Sequence, residues 1–147
     1  MQSRPDGLYL AFDYGLRYIG VASGHTQSGT SSPLCVIRNH NGTPDWDALD
    51  ECVRQWQPAG MVVGVPLRMD GSEQPLSGQA RGFAKRLRKR YALSVFTADE
   101  RLTTQQAGTI IRENRQRGQR RKTSKADLDK IAAALILRNW FTAHDDD

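Results

Sequence analysis

Three acids far apart in the chain each border an apolar run. Asp13 closes Leu8-Tyr-Leu-Ala-Phe12, Glu100 follows Ser94-Val-Phe-Thr-Ala98, and Asp129 precedes Lys130-Ile-Ala-Ala-Ala-Leu-Ile-Leu137. A lone carboxylate at the end of a buried strand is expensive to desolvate unless it gains a cation or hydrogen bonds, which points to metal or phosphate chemistry. Hard oxygen donors of this kind suit Mg²⁺ or Mn²⁺, ions that keep several waters and take few protein carboxylates plus substrate phosphates. A pair of such ions, roughly 3.5–4 Å apart, would activate a water and steady the leaving oxygen of a phosphodiester. The plainer alternative is that Asp13 only hydrogen-bonds the amides of the following turn. Two neighbouring acids compete for these roles. Successive strand side chains point to opposite faces, so at most one of Asp99 and Glu100 can share a site with Asp13. Ser124 with Asp127 reads as a capping pair, which gives Asp127 a structural task at a helix start, whereas Asp129 has no such local role.

The elements that must position these acids follow from periodicity. Leu8 to Phe12 is apolar without alternation, as in a strand covered on both faces, and Tyr18 to Ala22 begins a second strand after a turn at Gly15. The pair reads as a β-hairpin. Residues 24 to 32 read as a loop, and Leu34 to Ile37 as a short third strand. Thr43 is the expected N-cap of a first helix, with Pro44 at its first position. Trp46, Leu49, Val53 and Trp56 lie on one face of that helix until Gln57-Pro58 ends it. Met61 to Val65 is a buried strand parallel to the first. Leu76, Ala80, Phe83, Leu87 and Tyr91 mark a second helix, and Ser94 to Ala98 a fifth strand. Thr103 and Gln106 form a capping box for a further helix, and the last helix starts near Ser124. The expected architecture is α/β, a mixed five-stranded sheet of three antiparallel strands then two parallel, with helices on both faces. Glu100, Asp99 and Asp13 then fall at the C-terminal ends of parallel strands, where ligands of α/β sheets bind.

The 147 residues read as a single domain. No apolar run approaches a bilayer span and no signal peptide is visible, so a cytoplasmic protein with no membrane contact is expected. Cys35 and Cys52, 17 apart, read as reduced core residues, and His25, His40 and His144 form no zinc spacing. The net charge of +5, despite the acidic tail over 143–147, implies an anionic partner. One basic cluster, Arg81, Lys85, Arg86, Arg88, Lys89 and Arg90, shares a helix with an apolar face and reads as solvated surface. The other runs through Arg112, Arg115, Arg117, Arg120, Arg121, Lys122 and Lys125. Its stretch over about 114–123 has the composition of a mobile basic loop, poorly ordered without nucleic acid, in which Arg120, Arg121 and Lys122 would grip phosphates.

Four segments together resemble the YqgF family, also called RuvX, of RNase H-like proteins. They are Ala11-Phe-Asp13-Tyr-Gly15-Leu-Arg17-Tyr-Ile-Gly20-Val-Ala22, Val63-Gly64-Val-Pro66-Leu-Arg-Met-Asp70-Gly71-Ser72-Glu73, Asp99-Glu100-Arg101-Leu-Thr103-Thr104, and Asp129-Lys-Ile-Ala132-Ala133-Ala-Leu-Ile136-Leu137. The resemblance implies an RNase H-like fold and a nuclease site at Asp13, Glu100 and Asp129 dependent on Mg²⁺ or Mn²⁺. It also implies a role in maturing the 5′ end of pre-16S rRNA, with Holliday-junction resolution as the other activity proposed for the family. Within the matched segments Arg17 and Arg101 become candidate nucleic-acid contacts. Tyr18 departs from the basic residue of many members, and the Pro66 to Glu73 loop is family-typical without an assigned catalytic role.

Four functions remain in competition: an endonuclease acting on precursor rRNA, with ribosomal particles as possible partners; a DNase cutting branched DNA; an ATPase of the actin and Hsp70 type; and a catalytically silent RNA- or ribosome-bound protein. Symmetric junction cutting would require a dimer, whereas the other readings suit a monomer or weak homodimer. The chain is too short for the paired domains of the ATPase.

Overall fold

The computed structural model describes residues 4–100 and 125–143. Six strands form one sheet: β1 (Leu8–Tyr14), β2 (Tyr18–His25), β3 (Ser31–His40), β4 (Thr43–Pro44), β5 (Gly60–Pro66) and β6 (Ser94–Glu100), in the spatial order β4-β3-β2-β1-β5-β6. β1 to β4 pair antiparallel in sequence order, while β5 adds parallel to β1 and β6 parallel to β5. The described helices are α1 (Trp46–Trp56), α2 (Pro75–Tyr91) and α3 (Lys125–Ala143).

Burial follows the strand pattern. Tyr9 to Phe12 are fully buried because both faces of β1 are covered. Leu10, Phe12, Ile19, Val21, Met61 and Val63 pack with Leu49, Phe83 and Leu87 of α1 and α2. The alternate residues Tyr9, Ala11 and Val62 meet Ile136, Leu137, Trp140 and Phe141 of α3 on the other face. Tyr9, Phe96 and Trp140 stack there with ring centroids 5.0–6.5 Å apart, a compact aromatic layer that anchors the C-terminal half of α3.

The sheet has one strand more than the five expected. Asn41-Gly42, both with positive φ, makes a two-residue hairpin turn that brings Thr43 opposite His40 and Pro44 opposite Asn39. Thr43 is therefore spent on β4, and the N-cap of α1 is Asp45, whose side chain accepts a hydrogen bond from the amide of Ala48 at 3.2 Å. Pro44 is tolerated because β4 is an edge strand. The helix stops where expected, with Gln57 in the left-handed region donating its amide to Val53. β2 and β3 are longer than the sequence suggested and leave a short loop between them. The expected helix after Thr103 and the basic stretch 114–123 lie outside the described residues.

α3 approaches the sheet most closely at Gly20 of β2. A Cβ at that position would overlap the backbone carbonyl of Asp129, so helix and strand touch backbone to backbone. Gly20→Ala must therefore push α3 outward. It is expected to destabilise the protein by roughly 1–3 kcal/mol, read as a lower urea midpoint with an unchanged slope.

Candidate active site

The register places Asp13 between two glycines, opposite Gly20 of β2 on one side and Gly64 of β5 on the other, with Ala98 of β6 next in the row. Residues in one row face the same side of a sheet, here the side covered by α3. Glu100 lies two residues beyond Ala98 and so faces that same side. A Cβ on Gly64 would meet the Ile136 side chain of α3 first and come within 3.0 Å of the Glu100 Cγ, so Ile136 and Glu100 share the space beside Asp13 that Gly64 leaves. Asp129 arrives from α3, its backbone against Gly20. The row of small residues thus makes a shallow trough in the sheet, with Asp13 on its floor and Glu100 at its edge, into which α3 presses the Asp129 carbonyl over Gly20 and the Ile136 side chain over Gly64.

The electrostatics agree with this geometry. Burial, together with the charges of Asp13 and then Asp99, pushes the Glu100 carboxyl up to about 8. A carboxylate beside Glu100 in partly desolvated surroundings holds the proton on Glu100 unless positive charge enters. Among the described residues no group of three acids, histidines or cysteines stands close enough to form a ready-made metal cage. The Asp13 and Glu100 pair nevertheless fits a hard divalent ion, because Mg²⁺ commonly binds through one or two protein carboxylates and completes its shell with water and phosphate.

Face parity puts Asp99 and Glu100 on opposite sides of β6. Asp99 pairs with Val65, whose side chain belongs to the α1/α2 core, so Asp99 faces away from Asp13; its charge is felt by Arg81 of α2. Asp127 lies in the first turn of α3 and pairs with Lys130 at 3.3 Å. Arg17 is exposed in the β1–β2 turn. Arg101, Arg120, Arg121 and Lys122 lie outside the described residues. The first basic cluster is largely committed to the fold: Arg81 pairs with Glu73, Arg90 with Asp50, and Arg88 donates to the Val95 carbonyl.

Several positioning groups escaped the sequence reading. Asn39, almost wholly buried at the end of β3, donates its side-chain amide to the Gly15 carbonyl at 2.7 Å and its backbone amide to that of Arg17 at 2.8 Å. The Asn41 amide donates to the Leu16 carbonyl at 3.2 Å. All three carbonyls of the turn that follows Asp13 are thus held by one neighbouring segment. Glu100 is steadied by its own carbonyl, which accepts from the Leu67 amide at 2.9 Å, while Ser77 of α2 ties down the Pro66 carbonyl. Gly20 and Gly64, glycines inside apolar strands, were the visible signal of a close approach. Nothing in sequence singled out Asn39.

The fold is RNase H-like. Thermus thermophilus RuvC in complex with a Holliday junction substrate superposes with a TM-score of 0.54 at 15% identity, covering 95% of this chain and 96% of that one. Fowlpox virus resolvase bound to Holliday junction DNA gives 0.53 at 11% identity, covering 92% and 97%. The family model described as RuvX, Holliday junction resolvase, matches residues 7–143. A Pseudomonas aeruginosa protein is 45% identical over 143 residues, 97% of each chain, and one from Mannheimia succiniciproducens is 45% identical over 135 residues, 92% of this chain and 94% of that one; both carry the provisional name pre-16S rRNA nuclease. The chain belongs to the RuvX family.

The raised Glu100 carboxyl has a definite pH signature. The unfolded chain releases this proton near 4.5, whereas the folded one keeps it to about 8, so the folded state binds more protons between these values and loses stability as pH rises through them. Glu100→Gln removes the ionisation. Without divalent ions it should nearly match the wild type near pH 4.5 and exceed it by on the order of 4 kcal/mol at pH 8, measured by urea denaturation at both pH values.

Proposed function

We propose that this protein is a metal-dependent nuclease that cuts a phosphodiester of precursor rRNA, the maturation cut at the 5′ end of pre-16S rRNA. Asp13, Glu100 and Asp129 are its metal-holding acids. The observation that carries this reading is the crowding of Glu100 against Asp13 in a half-buried trough, an arrangement whose excess negative charge a divalent cation would relieve. The names of the full-length relatives support an rRNA substrate. Bound there, Mg²⁺ or Mn²⁺ supplies Lewis acidity to the phosphoryl oxygen and an activated water.

The remaining tasks belong to the chain. Asp13 and Glu100 would hold the cation as oxygen donors, Glu100 having lost to solvent the proton that its carboxyl otherwise keeps. Asn39, through the carbonyls of Gly15 and Arg17, fixes the turn that follows Asp13. Arg17, Arg101, Arg120, Arg121 and Lys122 bind backbone phosphates on either side of the cut. These contacts position the substrate without reading its bases.

A second reading, cleavage of branched DNA, is favoured by the family description and by the junction-bound structural neighbours, and it needs a dimer for symmetric cutting. Incubating the purified protein with precursor rRNA and with a four-way DNA junction, and mapping the product ends, separates the two.

Asp13→Asn should lower Mg²⁺-dependent cleavage by at least about a hundredfold while leaving the fold intact. Mg²⁺ should raise the melting temperature of the wild type and not that of Asp13→Asn, a readout independent of activity. Neutralising Arg120, Arg121 and Lys122 together should reduce the salt slope of nucleic-acid binding by roughly 0.7–0.9 for each phosphate no longer neutralised, similarly for unrelated sequences, with Mg²⁺ affinity unchanged. An unchanged slope would reassign those residues to plain solvated surface.

A further inference from the structure

Among the described residues the exposed large apolar side chains are Leu16, 46% exposed, and Met69, 70% exposed. Isolated apolar side chains on a surface are ordinary, but these two follow neighbouring strands at the same end of the sheet. Leu16 follows β1 in the turn to β2, and Met69 follows β5 in the loop to α2; β1 and β5 are neighbours and run parallel. Both tips therefore leave the sheet side by side at the end that holds Asp13 and Glu100.

The backbone of each turn is pinned by hydrogen bonds. The Leu16 carbonyl accepts from Asn41, between two carbonyls held by Asn39. Around Met69 the amide of Arg68 donates to the Ser72 carbonyl at 3.0 Å, that of Gly71 donates to the Arg68 carbonyl at 2.8 Å, and Leu67 bridges to Glu73. Asp70, beside Met69, accepts from both the amide and the hydroxyl of Ser72. Each apolar tip has an exposed arginine as its chain neighbour, Arg17 after Leu16 and Arg68 before Met69. Preorganised apolar contacts flanked by cations beside an acid trough match a polyanion that also offers apolar faces.

We infer that Leu16 and Met69 are contacts for unpaired nucleobases next to the cut, so that the substrate is a nucleic acid whose base pairing is interrupted there. The inference rests on the nucleic-acid reading above and narrows it. In a continuous duplex the faces of the bases are hidden in the stack, whereas a bulge, loop or single-stranded junction offers a face to an apolar side chain. Arg17 would hold an adjoining phosphate, whereas the Arg68 guanidinium donates to the Glu73 carbonyl at 2.6 Å and helps shape the Met69 loop.

The test uses the full chain and two RNA probes of equal length, a continuous duplex and the same duplex with a three-nucleotide bulge carrying a fluorescent base analogue. Binding is measured over a salt series without added Mg²⁺. The wild type should prefer the bulged probe. Leu16→Ala with Met69→Ala should reduce that preference by roughly tenfold, with duplex affinity and salt slope unchanged, since neither side chain touches phosphate. Met69→Phe should restore or exceed the wild-type preference, which a merely structural role would not produce. Equal binding of both probes by the wild type would overturn the inference and leave the nuclease reading standing. A preference that survives the double substitution would also overturn it, and would hand the two tips to a protein-facing surface. Failure to bind either probe would overturn both readings.

Discussion

The repulsion between the carboxyls of Asp13 and Glu100 sets the terms for the end of the sheet where they meet. Burial first, and then the charge of Asp13, push the Glu100 carboxyl up, so the two acids cannot both ionise cheaply. A protein can keep such a pair only if the scaffold is stable for other reasons. Here the apolar strands β1 and β5, covered on both faces, supply that stability. The aromatic layer of Tyr9, Phe96 and Trp140 fixes α3 well away from the acids, so the helix is held in place without help from the site. The strain is confined to one end of the sheet, and a cation entering there would add stability as well as chemistry.

The same trough explains why small residues recur where the strands approach α3. Gly20, Gly64 and Ala98 flank Asp13 in one row, and any larger side chain there would fill the space into which Glu100 and the Asp129 backbone reach. The opposite face has no such gap: Phe12, Val63 and Val65 pack tightly against α2 there. Both faces of the sheet are thus packed, but the α3 face is dished at Gly20 and Gly64 so that the helix backbone and Ile136 can approach beside the acids. The alternation along β1, Phe12 inward to one core and Asp13 to the trough, divides the two tasks between successive residues.

Much of this was legible in the sequence, for reasons that can be named. Uninterrupted apolar runs identified β1 and β5, and simple parity was enough to separate Glu100 from Asp99. Gln57-Pro58 stopped α1 where the chain adopts a left-handed cap. The start of α1 was misplaced because two local signals overlapped. Thr43-Pro44 resembles a helix start, yet Asn41-Gly42 just before it is a strong hairpin turn, and pairing with β3 took precedence while Asp45 supplied the cap. Asn39 was invisible for a different reason. Its work is to hold the carbonyls of a turn 22 to 24 residues earlier, and such long-range bonds leave no periodicity behind.

Family membership and fold settle less about the substrate than they do about the scaffold. A likeness at 15% identity to a junction-bound resolvase fixes how the strands and helices are arranged, and relatives at 45% carry a name that points to rRNA. Both substrates are phosphodiesters with irregular secondary structure, and the acids of the trough would treat either backbone alike. Discrimination must come from whatever surrounds the acids. Among the described residues that surround includes two turns, each presenting an apolar tip beside an arginine, at the ends of adjacent central strands. Such turns recognise the absence of continuous stacking more readily than they recognise a sugar. Whether the backbone bound is RNA or DNA would then depend on groups that reach the 2′-hydroxyl, and a pair of carboxylates such as Asp13 and Glu100 would serve either equally.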